Sequence, residues 1–123
     1  MYCLFIVTPQ NVSNSELEQF LHVNHVDCEI VYDPFTGIQR VQEQHFDLII
    51  LDAEACTAGI DRAIRLLKGC DPYTRIIVKT NINTRDLESS VRKEQVFYYH
   101  VNSLGLNDLQ IAVKSALQLS GTL

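Results

Sequence analysis

Five times along the chain, a short apolar run is followed by a longer segment whose apolar residues recur every three or four positions. Runs of the first kind suit strands buried on both faces, and segments of the second suit amphipathic helices laid over them. The expected strands are YCLFIVT (2–8), CEIVYD (28–33), FDLIIL (46–51), TRIIVKTN (74–81) and VFYYHVN (96–102). Between and after them come expected helices over 13–26, 36–44, 59–70, 83–95 and 107–119. Their inner faces begin with Leu17, Phe20 and Leu21 in the first, Ile38 and Val41 in the second, and Ile60, Ala63, Ile64 and Leu67 in the third. Pro34 and Gly37 read as the turn into the second helix, and Gly69 as the stop of the third. Short connections between such units leave room only for right-handed crossovers, so the strands form one parallel sheet with helices on both faces.

The expected fold class is therefore α/β, a doubly wound five-stranded parallel sheet, for which we choose the flavodoxin-like (βα)5 order 2-1-3-4-5. A length of 123 residues is about one domain, which we place at 1–119, with 120–123 read as a tail or the start of a linker. Hydrophobic content of 46% and charged content of 20% are ordinary for a folded chain. The net charge of −5, with the Lys and Arg residues scattered, argues against direct binding of nucleic acid. The densest basic cluster, Arg62, Arg65 and Lys68, has the spacing of a solvated helix face. No apolar run is long enough for a membrane span, and MYCLFIVTPQ lacks a basic leader, so a cytoplasmic location is expected. Cys3, Cys28, Cys56 and Cys70 show no CxxC spacing and are expected as free thiols.

Asp52 follows the third apolar run directly, at the carboxyl end of its strand. In open α/β sheets that edge is where ligands bind. A carboxylate there is either part of a site or a cap for the following turn. His22, His25 and Cys28 recur at three-residue spacing, but Cys28 begins the next strand and no fourth ligand is in view, so solvent-edge histidines are the expectation. His100 lies inside the fifth strand and is expected to pack at the sheet edge, while Tyr98 and Tyr99 should take opposite faces.

In GIQRVQEQHFDLIILDAEA the chain resembles the response-regulator receiver domains of two-component signalling, the CheY-like superfamily, whose third strand ends in a phosphate-accepting aspartate. The resemblance puts Asp52 at the acceptor position. RIIVKT resembles the strand ending in a Thr or Ser that bonds the phosphoryl group, which places Thr80. FYYHVNSLGLNDLQIAV resembles the segment that carries a switch aromatic, which places Tyr99. Other positions depart from the pattern. Thr8 and Pro9 stand where receivers carry an acidic pair, Asn102 where they carry a lysine, Ser103 where a proline follows, and Cys56 where a proline follows the acceptor.

Magnesium takes hard oxygen ligands in near-octahedral geometry, held by one or two carboxylates with water and phosphate. With Thr8 and Pro9 in place, Asp52 has few anionic companions; Glu54 and Gln10 are the nearest substitutes in the sequence. Phosphoryl transfer needs cations on the equatorial oxygens. Lys79 adjoins Thr80, but strand alternation sends the two to opposite faces, so the sequence reading turns Lys79 away from the site. The expectation is a non-enzymatic, atypical receiver with no catalytic residue, no metal and no cofactor, acting through protein–protein contact with phosphorylation lost or vestigial. Asp52 is expected as a solvated, ionised carboxylate, and Asp52→Asn should leave partner binding nearly unchanged.

The alternative is a true phosphoacceptor, phosphorylated on Asp52 through unusual metal ligation. A flavodoxin-like small-molecule binder is disfavoured because the loop TPQNVSNS has no glycine to close on a phosphate. Expected partners are a protein or an output domain, with a weak homodimer through the fourth helix, fifth strand and fifth helix. There Arg85, Asp86, Glu88, Arg92, Lys93 and Glu94 surround the tyrosines.

Overall fold

The structure is a computed structural model that describes residues 1–10 and 13–119. The expected tail at 120–123 lies outside the described residues. Five parallel strands, β1 (Tyr2–Ile6), β2 (Asp27–Val31), β3 (Leu48–Asp52), β4 (Arg75–Thr80) and β5 (Tyr98–Val101), form one sheet of order β2-β1-β3-β4-β5. They alternate with α1 (Ser13–Val23), α2 (Pro34–Glu43), α3 (Ile60–Cys70), α4 (Arg85–Lys93) and α5 (Leu106–Leu117). Short 3-10 turns, Ala53–Ala55 and Asn102–Leu104, follow β3 and β5. Fold class and strand order are those expected from the sequence.

Alternation along the strands divides the core in two. Leu4, Ile6, Ile49, Leu51, Ile76 and Val78 face α2, α3 and α4, meeting Val41, Ile64, Leu67 and Val91. Cys3, Phe5, Leu48, Ile50 and Ile77 face α1 and α5, meeting Leu17, Leu21, Leu109 and Val113. Every residue of β3 is buried, as an interior strand covered on both sides requires.

Element ends moved where local chemistry overrode the periodic pattern. The first strand stops at Ile6 rather than residue 8, just before Pro9, which has no N–H for a ladder. The first helix stops at Val23 rather than 26. His25 takes a left-handed φ of 61°, its N–H bonds the carbonyl of His22, and the N–H of Val26 reaches back to Leu21 at 2.9 Å. That is a Schellman closure with histidine in the place usually held by glycine. The same pair of bonds closes α5 around Gln118. The second helix starts earlier than expected. Asp33 caps it by accepting from Thr36 N at 2.8 Å, and Pro34 takes the first turn. Gly37 is consequently inside α2, and an added Cβ there would lie 2.4 Å from Ile6 Cδ1. Its role is close helix-to-sheet approach, not a turn.

Candidate functional site

The carboxyl ends of β3, β4 and β5 meet the start of α1 at one edge of the sheet. Asp52 has the same parity as Leu48 and Ile50, so it points to the α1 and α5 side. The β3–β4 register sets Asp52 beside Lys79, and the β4–β5 register sets Lys79 beside His100. Neighbours in register share a face. Asp52, Lys79 and His100 therefore form a polar row under α1 and α5, all fully or almost fully buried.

This corrects two sequence expectations. Asp52 is 0% exposed, so it is not a solvated carboxylate. Lys79, also 0% exposed, does point away from Thr80, but toward Asp52 rather than away from it. The cap reading of Asp52 is not realised either, since its side chain makes no capping bond to the turn that follows.

Asn14, in the first turn of α1 and itself 6% exposed, joins the two charges. Its Nδ2 donates to Asp52 Oδ2 at 3.1 Å, and its Oδ1 accepts from Lys79 Nζ at 2.6 Å. The amide is polarised from both ends, each charged group meeting the half of the amide that suits it. Burial lowers the Lys79 pKa, opposed by the negative charges of Asp52 and Glu54. Burial likewise lowers that of His100, helped by Lys79, while the Gly105 backbone hydrogen bond opposes it. Cys56, whose thiol lies 3.7 Å from the Asp52 carbonyl oxygen, is pushed up to about 12 by burial and by the charges of Asp52 and Glu54.

On the other face Thr80 is also buried. Its hydroxyl lies 2.8 Å from Glu54 Oε2, and Asn81 N donates to Glu54 Oε1 at 3.1 Å. Glu54 thus fastens the turn after β3 to the end of β4. Tyr99 is half-buried among the residues under α4, and Tyr98 is half-buried on the opposite face, so neither ring stands fully out. The Tyr99 hydroxyl donates to Asn83 Oδ1 at 2.7 Å; Asn83 donates to Glu88, Glu88 accepts from Arg92, and Arg92 lies over the Tyr99 ring at 5.9 Å. Asn102 donates to Asn81 Oδ1 at 2.7 Å, tying β5 to the loop after β4. Thr8 is half-buried and Pro9 exposed in the loop leaving β1.

Sequence reasoning read the first helix as opened by a Ser or Asn cap and so missed Asn14 as a site residue, because a polar residue near a helix start reads as a cap. Lys79 did carry a signal, a lysine inside an apolar strand, but its meaning depended on register. Among the described residues, no group of three or more His, Cys, Asp or Glu lies together as metal ligands would. His22 and Cys28 do border one groove.

No family model and no curated protein matches the sequence. Solved structures do match it. A two-component response regulator from Clostridium difficile superposes with a TM-score of 0.81 at 18% identity, over 96% of this chain and 97% of that one. The chain has the receiver-domain fold. A response regulator receiver domain protein from Methanospirillum hungatei JF-1 gives a TM-score of 0.82 at 15% identity, over 96% of this chain and 94% of that one. The receiver domain of a sensor histidine kinase from Pseudomonas aeruginosa PAO1, solved with magnesium coordinated in its active-site cleft, gives 0.79 at 16% identity, over 95% and 97% of the two chains.

Proposed function

We propose that this chain is an atypical receiver domain of two-component signalling, one that acts through protein contact and in which phosphorylation at Asp52 is lost or vestigial. The observation that carries the reading is the buried Asn14, Asp52 and Lys79 network. An acceptor carboxylate has to meet a phosphodonor from solvent, and Asp52 is enclosed. Its charge is already faced by an ammonium on the neighbouring strand. The donor set does not fit a magnesium ion: Thr8 and Pro9 bring no carboxylate, and Glu54 is engaged with Thr80 and Asn81. A divalent cation beside Asp52 would also have to sit against the Lys79 charge.

In this reading Thr80 and Tyr99 correspond to the switch residues of receivers, and each is held by this chain's own side chains, Glu54 and Asn83. A receiver whose site is neutralised from within is a constant docking module rather than a phosphorylation-driven switch. Its docking surface in this reading is α4, β5 and α5, with a protein, an output domain or a second copy as partner.

Incubation with acetyl phosphate or beryllofluoride and Mg²⁺, followed by intact mass and amide NMR, tests the reading. The expected result is no phosphoryl mass gain and no shift at Thr80 or Tyr99. Stoichiometric, Mg²⁺-dependent modification of Asp52 that changes partner affinity would overturn it in favour of a working phosphoacceptor.

A further inference from the structure

At the opposite edge of the sheet, β1 and β2 pair in parallel, and the register sets Cys3 against Cys28. Both thiols are free and both belong to the face under α1 and α5. Neighbouring strands lie about 4.8 Å apart, and disulfides span Cα separations of about 4.4–6.8 Å, so two cysteines in register are within bonding reach. The two differ in access. Cys3 is 0% exposed, whereas Cys28 is only partly covered, its thiol 3.7 Å from the Val26 carbonyl oxygen. A groove of about 440 Å³ between α1 and the start of β2 reaches Cys28, lined also by Ser15, Glu18, His22 and Asp27.

We propose that Cys28 and Cys3 form a peroxide-responsive thiol pair, with Cys28 the reactive thiol reached through the groove and Cys3 the resolving thiol behind it. The Cys28 thiolate attacks one peroxide oxygen; the S–O bond forms, the O–O bond breaks, and hydroxide leaves and is protonated to water. Cys3 then attacks the Cys28 sulfur of the sulfenic acid. The S–S bond forms, the S–O bond breaks, and the departing hydroxide takes the Cys3 proton to leave as a second water. The pair gives up two electrons and one hydrogen peroxide is consumed.

Local electrostatics divides the roles in the same way. The hydrogen bond from the Cys3 thiol lowers the pKa of Cys28, against burial and the nearby charges of Glu18 and Asp27. Burial raises that of Cys3 well above its ordinary value, with the Cys28 contact adding to it. An accessible thiol held low beside a protected one held high is the arrangement of an attacking and a resolving cysteine. The other two thiols lack it: Cys56 is buried with its pKa raised to about 12, and Cys70 stands at the end of α3 with no cysteine opposite. A bridge there is opened again when an external thiolate attacks one of its sulfurs. That suits a reversible tie of the edge strand β2 to β1.

The test is to treat the full chain with equimolar hydrogen peroxide, quench by alkylation and map the peptides, with dimedone present in parallel. The expected product has lost two hydrogens and carries a Cys3 to Cys28 bridge, formed roughly tenfold faster than any change at Cys70. In Cys3→Ala, Cys28 should persist as a dimedone-trapped sulfenic acid; in Cys28→Ser, Cys3 should remain reduced. Oxidation of Cys70 ahead of Cys28, or a Cys28 sulfenic acid that persists in the unsubstituted chain, overturns the proposal. Should Cys3→Ala fail to fold, the peptide map of the unsubstituted chain decides alone.

Discussion

Asn14, Asp52 and Lys79 form one buried hydrogen-bonded network, so removing either charge leaves the other in the core beside Asn14 with less opposite charge around it. Where two buried charges offset one another, removing one costs about 3–5 kcal/mol by analogy with buried ion pairs, whereas replacing both is often nearly neutral. Asp52→Asn and Lys79→Met should each lower urea-unfolding stability by about 3 kcal/mol, and the double variant should return to within about 1 kcal/mol of the parent. Additive losses would show that the two charges are not coupled. A second residue-scale prediction concerns His45, whose Nδ1 lies 2.5 Å from Asp71 Oδ2. The Asp71 hydrogen bond raises the His45 pKa above its ordinary 6.5, so the contribution is complete below pH 6.5 and is lost as pH rises through the raised value. Burial pushes the Asp71 carboxyl up, but the His45 bond and two others outweigh it, so Asp71's part is lost only as pH falls through a value below 3.8. Stability should therefore decline by about 0.5 kcal/mol as pH rises past 6.5, discounted for the exposure of His45, and His45→Gln should flatten that decline in denaturant midpoints measured from pH 5 to 8.

Two helices carry backbone choices that substitution can probe. Gly37 lets α2 approach β1; its absent Cβ would fall 2.4 Å from Ile6 Cδ1 and 2.9 Å from Cγ1. Alanine favours a helix over glycine by about 1 kcal/mol, but crowding a packed core costs about 1–3 kcal/mol. Because Ile6 is fully buried and has little room to turn aside, overpacking should win. Gly37→Ala is expected to lower the thermal midpoint, and a rise would mean that Ile6 repacks freely. His25 is the reverse case. A non-glycine residue at φ 61° bears a left-handed penalty of about 1 kcal/mol, so His25→Gly should raise stability by about that amount without altering the Schellman bonds.

At the scale of the whole molecule, exposed apolar residues are spread over several faces, and two of them, Phe97 just before β5 and Ile111 in α5, are 41% and 58% exposed. Arg92 and Glu88 pair beside Tyr99 at the same margin. Mixed charge around a few apolar anchors suits a small, reversible interface. Sedimentation velocity should reveal weak self-association at high concentration, reduced by Phe97→Asp and unchanged by acetyl phosphate. A strict monomer, or a partner footprint confined to α1, would count against that surface. No helix among the described residues is long and apolar enough to cross a membrane.

Periodicity determined the five units and, with their short connections, one parallel sheet, because the spacing of apolar residues is set by whether they line a strand or a helix; the strand order was a choice of fold type that the structure bears out. It also placed Asp52 at the carboxyl edge of β3, since the apolar run ends one residue earlier. What happens around Asp52 was decided elsewhere. Whether Lys79 faces the carboxylate depends on the pairing of β3 with β4, a relation between residues far apart in sequence that a slip of one position would reverse. Asn14 enters the network only because α1 is laid over that face of the sheet. The same holds for Gly37 against Ile6 and for Cys3 against Cys28. Composition along the chain specifies which residues are buried; the register between strands specifies which buried residues meet, and the chemistry of this molecule rests on those meetings.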